Sequence, residues 1–176
     1  TNPKNVKIAV DKIRQGAIKA GRDPLSVKVG AVFHTVFVED PDQALLMAKS
    51  MAAGYYEYSP MLMRNLEMPW EGPDPEVIKG REGIWPDFHH ATDLASSGKA
   101  VNFLNEDQAR SFSLSGNSTS ITSQISALLR DSHLLGVDFD YVVLHPIPNP
   151  PTPDDGASSY LERVPTEIIS KVKEML

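Results

Sequence analysis

The chain has 176 residues, a formal net charge of −6 and no cysteine, which together exclude several kinds of protein. A negative charge argues against a general nucleic-acid binder, because such a protein carries a basic face towards phosphates. The lack of cysteine excludes disulfides, thiolate metal sites and a cysteine nucleophile. No stretch approaches the roughly 18 apolar residues that span a bilayer, and no signal peptide is evident. We therefore expect a globular, cytoplasmic protein without membrane contact.

The first third of the chain predicts a helix, a strand and a second helix. Residues 5–20 have apolar side chains at helical spacing, and Gly21 is expected to end this helix. Residues 27–38 are rich in valine and phenylalanine, which is typical of a strand. Acidic residues around Pro41 then begin a second helix, because both residue types suit the first turn, and we expect it to reach residue 56.

Residues 58–112 break this regular pattern and are interpreted as an insertion or lid within a single domain over 1–176. They contain both tryptophans, several methionines and a high density of prolines. Short helices are predicted at 75–80 and 87–97, and a brief strand or extended connection at 100–104.

Residues 113–176 predict a helix, a strand and a terminal helix. Gly116, Asn117 and Ser118 precede an apolar series that fits one helical face, formed by Ile121, Ile125, Leu128, Leu129 and Leu135. After Gly136, residues 137–144 are predicted to form a strand covered on both sides. The terminal helix is expected over 160–176, with Ile168, Ile169, Val172 and Leu176 facing inward.

Only two convincing strands accompany four or five helices, which is too few for an eight-stranded parallel barrel. Either further strands lie upstream in a longer polypeptide, or the chain is a smaller α/β arrangement. The chain starts at Thr1 without an initiating methionine, and we therefore expect a longer parent polypeptide.

Two segments of the chain carry a resemblance to a known family. They are AGRDPLSVKVGAVFHTVFVEDPDQALLMAKSMAAGYY and, later, GNSTSITSQISALLRDSHLLGVDFDYVVLHP. A helix ending in a GRDP turn, a strand followed by an acidic helix start, an insertion, and a glycine-led helix with a GVD strand occur here in order. The chain thereby resembles the C-terminal part of luciferase-like flavin-dependent oxidoreductases, which include bacterial luciferase and deazaflavin-dependent methylenetetrahydromethanopterin reductases.

The resemblance implies an α/β fold, the C-terminal portion of a TIM (β/α)8 barrel with an insertion before the last βα unit. Residues 27–38 would be the seventh strand and 139–145 the eighth, while 113–176 would form the last helix-strand unit and the C-terminal helix. Six strands, the phosphate loop and most flavin-binding elements would lie upstream. A chain limited to these residues is then expected not to turn over alone.

The function implied by the resemblance is that of a flavoprotein oxidoreductase or monooxygenase acting on a small organic substrate. Its cofactor would be FMN or the deazaflavin coenzyme F420, and hydride transfer and monooxygenation both stay open. A homodimer formed through the barrel is expected. The alternative is a non-catalytic binding or assembly module derived from the same barrel.

Candidate contacts to substrate or cofactor come from strand ends and a helix start, although no residue can be assigned as catalytic. His145 ends one strand and His34 lies within the other, where alternation places either His34 or Thr35 on the barrel interior. Gly116, Asn117 and Ser118 would offer amides to an anion, or would simply cap the helix.

The insertion supplies further candidates. Arg64, Lys79 and Arg81 would meet an acidic substrate or would be solvated. Aromatic and methionine side chains would cover a cofactor or form a subunit interface: Tyr55, Tyr56, Met61, Met63, Trp70 and Trp85. No metal is expected at the cluster of Asp87, His89, His90 and Asp93, because adjacent histidines cannot share one helical face.

Overall fold

The computed structural model describes residues 2–147 and 157–175. Its helices are α1 (Pro3–Lys19), α2 (Pro41–Tyr58), α3 (Pro60–Arg64), α4 (Pro75–Glu82), α5 (Leu94–Ala100), α6 (Glu106–Arg110), α7 (Ser118–Leu134), α8 (Ala157–Val164) and α9 (Ser170–Met175). Its strands are β1 (Gly30–Phe37), β2 (Leu114–Gly116) and β3 (Tyr141–Pro146). A 3₁₀ turn occupies Pro24–Ser26, and a π-helical turn, Pro165–Ile169, joins α8 to α9.

The three strands form a parallel sheet in the order β2-β1-β3. β1 and β3 are neighbours, which agrees with their interpretation as consecutive strands. β2 is an unexpected third strand, and it lies on the opposite edge of β1 although it falls between them in the chain. Its three residues, Leu114–Gly116, have little β-propensity and are recognisable only through their pairing with β1. This order departs from a plain succession of strands around a barrel.

Both predicted strands are shorter than expected. β1 begins at Gly30 because Pro24–Ser26 forms a turn that Asp23 caps, its side chain accepting from the backbone of Leu25. β3 begins at Tyr141, and it is not covered on both sides as predicted: its residues alternate between exposed and partly buried. The sheet therefore has one face that packs on helices and one that stays open along β3.

The packed face of the sheet lies against α7, α8 and α9. Its buried core consists of Phe33, Leu114, Ile121, Ile125, Leu128, Tyr160, Val164, Ile168 and Val172. The α7 prediction is confirmed except at Leu135, which caps the helix and is 40% exposed.

The terminal helix differs from its prediction because proline interrupts it. Pro165 has no backbone N–H and crowds the preceding turn, and the chain forms a π-helical turn there. Ile168 is fully buried as expected, but Ile169 is 38% exposed, so its predicted inward orientation is wrong. Leu176 lies outside the described residues.

The segment predicted as an insertion, residues 58–112, contains the short helices α3 to α6 joined by turns, and it packs on α2. Its core joins two alanines of α2 to apolar side chains of the insertion: Ala52, Ala53, Met63, Leu66, Ile78, Phe88, Val101, Leu104 and Phe112. The helix predicted at 75–80 is confirmed as α4. The strand or extended connection predicted at 100–104 is wrong, because Ala100 ends α5 and the residues after it form turns that bury Val101 and Leu104.

Helix α2 links the insertion to the sheet. It begins as predicted, with the side chain of Asp40 accepting from the backbone of Asp42 at 2.9 Å and of Gln43 at 3.1 Å. Met47 and Met51 on this helix pack with Val36 of β1. No helix among the described residues is long and apolar enough to cross a membrane.

Candidate functional site

Two histidines predicted independently as site residues face each other across β1 and β3. His34 and His145 are paired in register, and their Nδ1 atoms lie 3.2 Å apart. Their rings meet edge to face with centroids 5.2 Å apart. At this distance one Nδ1 donates and the other accepts, so the pair holds a proton between its rings. The alternation is also resolved: Thr35 is fully buried, and His34 lies on the opposite, open face.

The His34 imidazole is held neutral. Burial disfavours the charged ring, and the neighbouring His145 and then His89 add to this effect, lowering the pKa of His34 to about 4. His145 itself is exposed rather than at the end of a buried strand. The pair therefore presents one shielded and one accessible imidazole.

Tyr55 connects this pair to the insertion. Its ring lies 5.7 Å from that of His34 and stacks on His89 at 5.6 Å, with an interplanar angle of 19°. On its other side it stacks on Phe112, also at 5.6 Å. Burial raises the pKa of the Tyr55 phenol, which therefore stays protonated at neutral pH.

Beyond Tyr55, two histidines converge on the buried carboxylate of Asp87. Nδ1 of His90 lies 2.8 Å from Oδ2 of Asp87, and Nδ1 of His89 lies 3.0 Å from Oδ1. Four of the five histidines, His34, His89, His90 and His145, thus belong to one neighbourhood, since each of the other three acts electrostatically on His34.

The prediction of no metal at this cluster assumed that Asp87, His89 and His90 lie on a helix, and this assumption is wrong. The helix predicted over 87–97 begins only at Leu94, and residues 87–93 form turns and bends, so adjacent histidines can point to one place. Asp93 leaves the cluster and caps α5, its Oδ1 accepting from the backbone of Ser96 at 3.0 Å.

The sequence did not indicate a role for Tyr58 or Gly54, nor that Tyr55 joins His34 to His89 through ring contacts. Tyr58 donates its hydroxyl to Oδ2 of Asp87 at 3.0 Å, and Gly54 admits the His89 ring against the backbone of α2. Tyr55 and Tyr58 are three residues apart in α2 and share a face, but the helix was predicted to end at residue 56, so the sequence did not indicate this pairing. The approach of α2 to the 87–90 turn had no local signal.

The helix start at Gly116, Asn117 and Ser118 has the geometry of an ordinary cap. Oδ1 of Asn117 accepts from the backbone of Ser120 at 3.0 Å. Arg163 chiefly holds the pKa of Glu167 low, against desolvation, and a hydrogen bond from Ser118 adds to this effect. An acidic side chain thus lies near Ser118, and the anion contact at this helix start stays a prediction.

The basic candidates are not grouped around the histidines. Arg64 ends α3 and is exposed. Lys79 is mostly buried in ion pairs with Glu57 and, at 2.7 Å, with Glu76, while Arg81 pairs with Glu82 at 2.6 Å. Lys79 and Arg81 are thus committed to neighbouring acids in the structure.

The predicted aromatic lid divides into separate parts. Tyr56 stacks on Trp70 at 4.3 Å, within the insertion's own core. Met63 is buried there, Met61 is 55% exposed, and Trp85 is 79% exposed. Tyr55 alone of the predicted set contacts the histidine pair through its ring.

Below the histidine pair, the open sheet face is apolar. Gly30 pairs with Tyr141 and Val32 with Val143, in the same register as His34 with His145. The Tyr141 ring lies where a Cβ of Gly30 would be. Tyr141 and Val32 are each 59% exposed and Val143 is 46% exposed. We call Val32, Tyr141 and Val143 the open stripe.

Comparisons with known proteins give this geometry a context. No family model matches the chain. The chain is 28% identical over 136 residues to 5,10-methylenetetrahydromethanopterin reductase of Methanopyrus kandleri, covering 74% of this chain and 34% of the relative. The structure matches that of the coenzyme F420 dependent tetrahydromethanopterin reductase from Methanopyrus kandleri, with a TM-score of 0.51 and 26% identity, over 97% of this chain and 43% of the other.

The chain is a homologue of part of this reductase. The resemblance predicted from the GRDP and GVD segments is thereby confirmed, and the α/β fold with a parallel sheet matches part of the reductase structure. The chain spans about a third of the length of the curated reductase and under half of the length of the solved reductase structure.

Proposed function

We propose that the chain is part of a deazaflavin-dependent oxidoreductase and contributes one wall of its hydride-transfer site. The observation that carries this proposal is the match over 97% of the chain to a reductase described as coenzyme F420 dependent. Between the two cofactors left open by the sequence, this match favours the deazaflavin over FMN. It favours reduction of a small organic substrate over monooxygenation.

In this proposal the chain is the C-terminal portion of a TIM barrel, and residues 58–112 are inserted before its last βα unit. The remaining strands would come from the rest of a longer protein and would cover the open stripe. A homodimer through the barrel belongs to the same proposal. Strand ends of such folds are where ligands bind, and His145 lies at the carboxyl end of β3.

The carboxyl end of the strands fits a planar heteroaromatic ring better than an anionic tail. His145 with His34 supplies hydrogen-bonding nitrogens there, and the Tyr55 ring lies beside His34. When bound, a deazaflavin supplies hydride to its substrate. The anionic tail has no comparable place at α7, where Glu167 lies beside Ser118.

Within such a site, the chain's residues orient and hold protons. His34 stays neutral and fixes the His145 ring through their shared hydrogen bond, while Tyr55 packs against His34 and shields it from solvent. His145, which is exposed, would touch the ring or the substrate.

Titration with coenzyme F420 and with FMN, followed by cofactor fluorescence, tests the proposal. The protein should be the native polypeptide that contains residues 1–176, because the homologous reductase is longer. We expect F420 to bind more tightly than FMN, and His145→Gln to weaken F420 binding about tenfold, the loss of one hydrogen bond.

His133→Gln is the matched control, because His133 pairs with Asp138 at 2.7 Å on an exposed surface. It should leave F420 binding unchanged. If the native polypeptide binds neither cofactor, the oxidoreductase proposal is wrong and the non-catalytic module is the better description.

A further inference from the structure

We propose that Asp87, His89 and His90 form a binding site for a divalent transition-metal ion, zinc in the first instance. One carboxylate oxygen and two imidazole nitrogens of these residues lie within 4.8 Å of one another. This oxygen and nitrogen donor set suits zinc and its neighbours in the transition series. The inference does not rest on the proposed redox function.

The loop between the insertion's helices brings the three groups together. Residues 87–93 are not helical, and the two rings lie with centroids 4.0 Å apart at an angle of 40°. Two consecutive histidines therefore present their Nδ1 atoms to the same carboxylate, which a helix would not allow.

The carboxylate of Asp87 is held in place by its neighbours. Its side chain is 4% exposed, and its Oδ1 accepts from the backbone N–H of His89 at 3.0 Å and of His90 at 2.9 Å. Tyr58 donates to Oδ2 at 3.0 Å. Contacts of this kind orient a ligand group and are part of most protein metal sites.

His89 offers the nitrogen that most lacks a partner. Its Nδ1 is buried and makes no hydrogen bond with the described residues, although Oδ1 of Asp87 is 3.0 Å away. A buried polar atom without a partner is costly, and coordination to a metal would satisfy it.

Of the three proposed ligands, His90 is the one accessible to solvent. The side chain of His90 is 61% exposed and that of His89 is 14% exposed, so an ion can enter past His90. Three protein ligands leave a fourth tetrahedral position for water or another group. This cluster has two mostly buried ligands, Asp87 and His89, and one accessible ligand, His90. It therefore differs from a surface pair such as His133 and Asp138, whose side chains are 72% and 78% exposed.

Calorimetric titration of the metal-free chain with Zn²⁺ tests the site, together with titration by Co²⁺ followed by visible absorption. We expect one ion per chain, with His90→Gln weakening Zn²⁺ binding at least tenfold. His133→Gln, which removes the exposed histidine of a two-residue pair, should leave both titrations unchanged. Tyr58→Phe should weaken binding by about tenfold, because it removes the hydrogen bond that orients Oδ2 of Asp87 without removing a ligand.

Two outcomes would overturn the inference: no saturable binding of either ion by the unmodified chain, or Zn²⁺ binding that His90→Gln leaves unchanged. His90 is exposed, so its variant should fold, and circular dichroism checks this. Should it not fold, imidazole NMR signals of the unmodified chain decide the question. Zn²⁺ must then shift the signals of His89 and His90 and not that of His133.

Discussion

His34 shows how one residue couples the sheet to the insertion. Its ring contacts His145 on the neighbouring strand and Tyr55 on α2, and Tyr55 in turn stacks on His89. Its neutral state is thus a property of the assembled site, since burial and the other histidines lower its pKa together.

The lowered pKa of His34 predicts that the protein loses stability in mild acid. The unfolded chain takes up this proton near pH 6.5, whereas the folded protein takes it up only near pH 4. Between these values the unfolded state binds more protons, so the free energy of unfolding falls as the pH falls. After a discount for the partial exposure of His34, we expect a loss of about 1 kcal/mol between about pH 7 and about pH 5.

Urea unfolding at the two pH values measures this loss. His34→Gln should remove that part of the decrease, because glutamine does not titrate. His133→Gln, at an exposed histidine, should retain it. An equal pH dependence in the unmodified protein and in His34→Gln would contradict the assignment to His34.

At the scale of elements, α2 organises both the site and the insertion. It carries Tyr55 and Tyr58 towards the histidines, and its small residues let other elements approach closely. Helix α5 also approaches α2 closely through its own glycine, since a Cβ on Gly98 would lie 1.8 Å from the carbonyl oxygen of Leu46.

Gly98→Ala should therefore destabilise the protein. The atom in the way belongs to the backbone of α2, so the two helices must separate, at a cost of about 1–3 kcal/mol. Gly80→Ala is the matched control, because Gly80 lies within α4 and nothing is within 4 Å of its Cβ position. Gly80→Ala should leave the free energy of unfolding unchanged or raise it by about 0.5–1 kcal/mol, since alanine favours a helix more than glycine does.

Thermal or urea unfolding of the two variants compares these effects. The prediction fails if Gly98→Ala is as stable as Gly80→Ala, because close backbone contact between α2 and α5 would then not exist in solution.

Helices and strands could be predicted where local residues mark their ends. Helices α2 and α7 are encoded by local signals: Asp40 and Asn117 cap them, and Gly136 at φ 73° follows α7. β2 could not be predicted, because three residues carry no periodicity and their pairing partner lies far away in sequence. The helix start at Leu94 was misplaced because Asp87, like Asp93, resembles a helix cap, and only packing distinguishes them.

At the scale of the whole molecule, the open stripe is the main unpartnered apolar feature of the sheet. Parallel sheets are normally covered on both faces. Here one face packs on α7 to α9, whereas Val32, Tyr141 and Val143 remain substantially exposed. In the proposed barrel, the missing strands would cover this face.

The isolated chain should accordingly bind the hydrophobic dye ANS at neutral pH. Val143→Thr combined with Val32→Thr should reduce the dye fluorescence about twofold or more, because both side chains lie on the open stripe. Val77→Thr is the control, since Val77 is 59% exposed on α4 outside the stripe. Equal fluorescence from all three proteins would show that the stripe is not an apolar surface in solution.

The sequence by itself determined the longer helices α1, α2 and α7, the two main strands, the likeness to luciferase-like oxidoreductases and the two strand histidines. These depend on periodicity, capping residues and ordered motifs, which are local in the chain. Only the tertiary structure decided that His34 and His145 are partners, because 111 residues separate them. It also decided that Asp87, His89 and His90 converge on one point and that β3 is covered on one face. Such contacts arise from packing between distant segments, for which no local pattern exists.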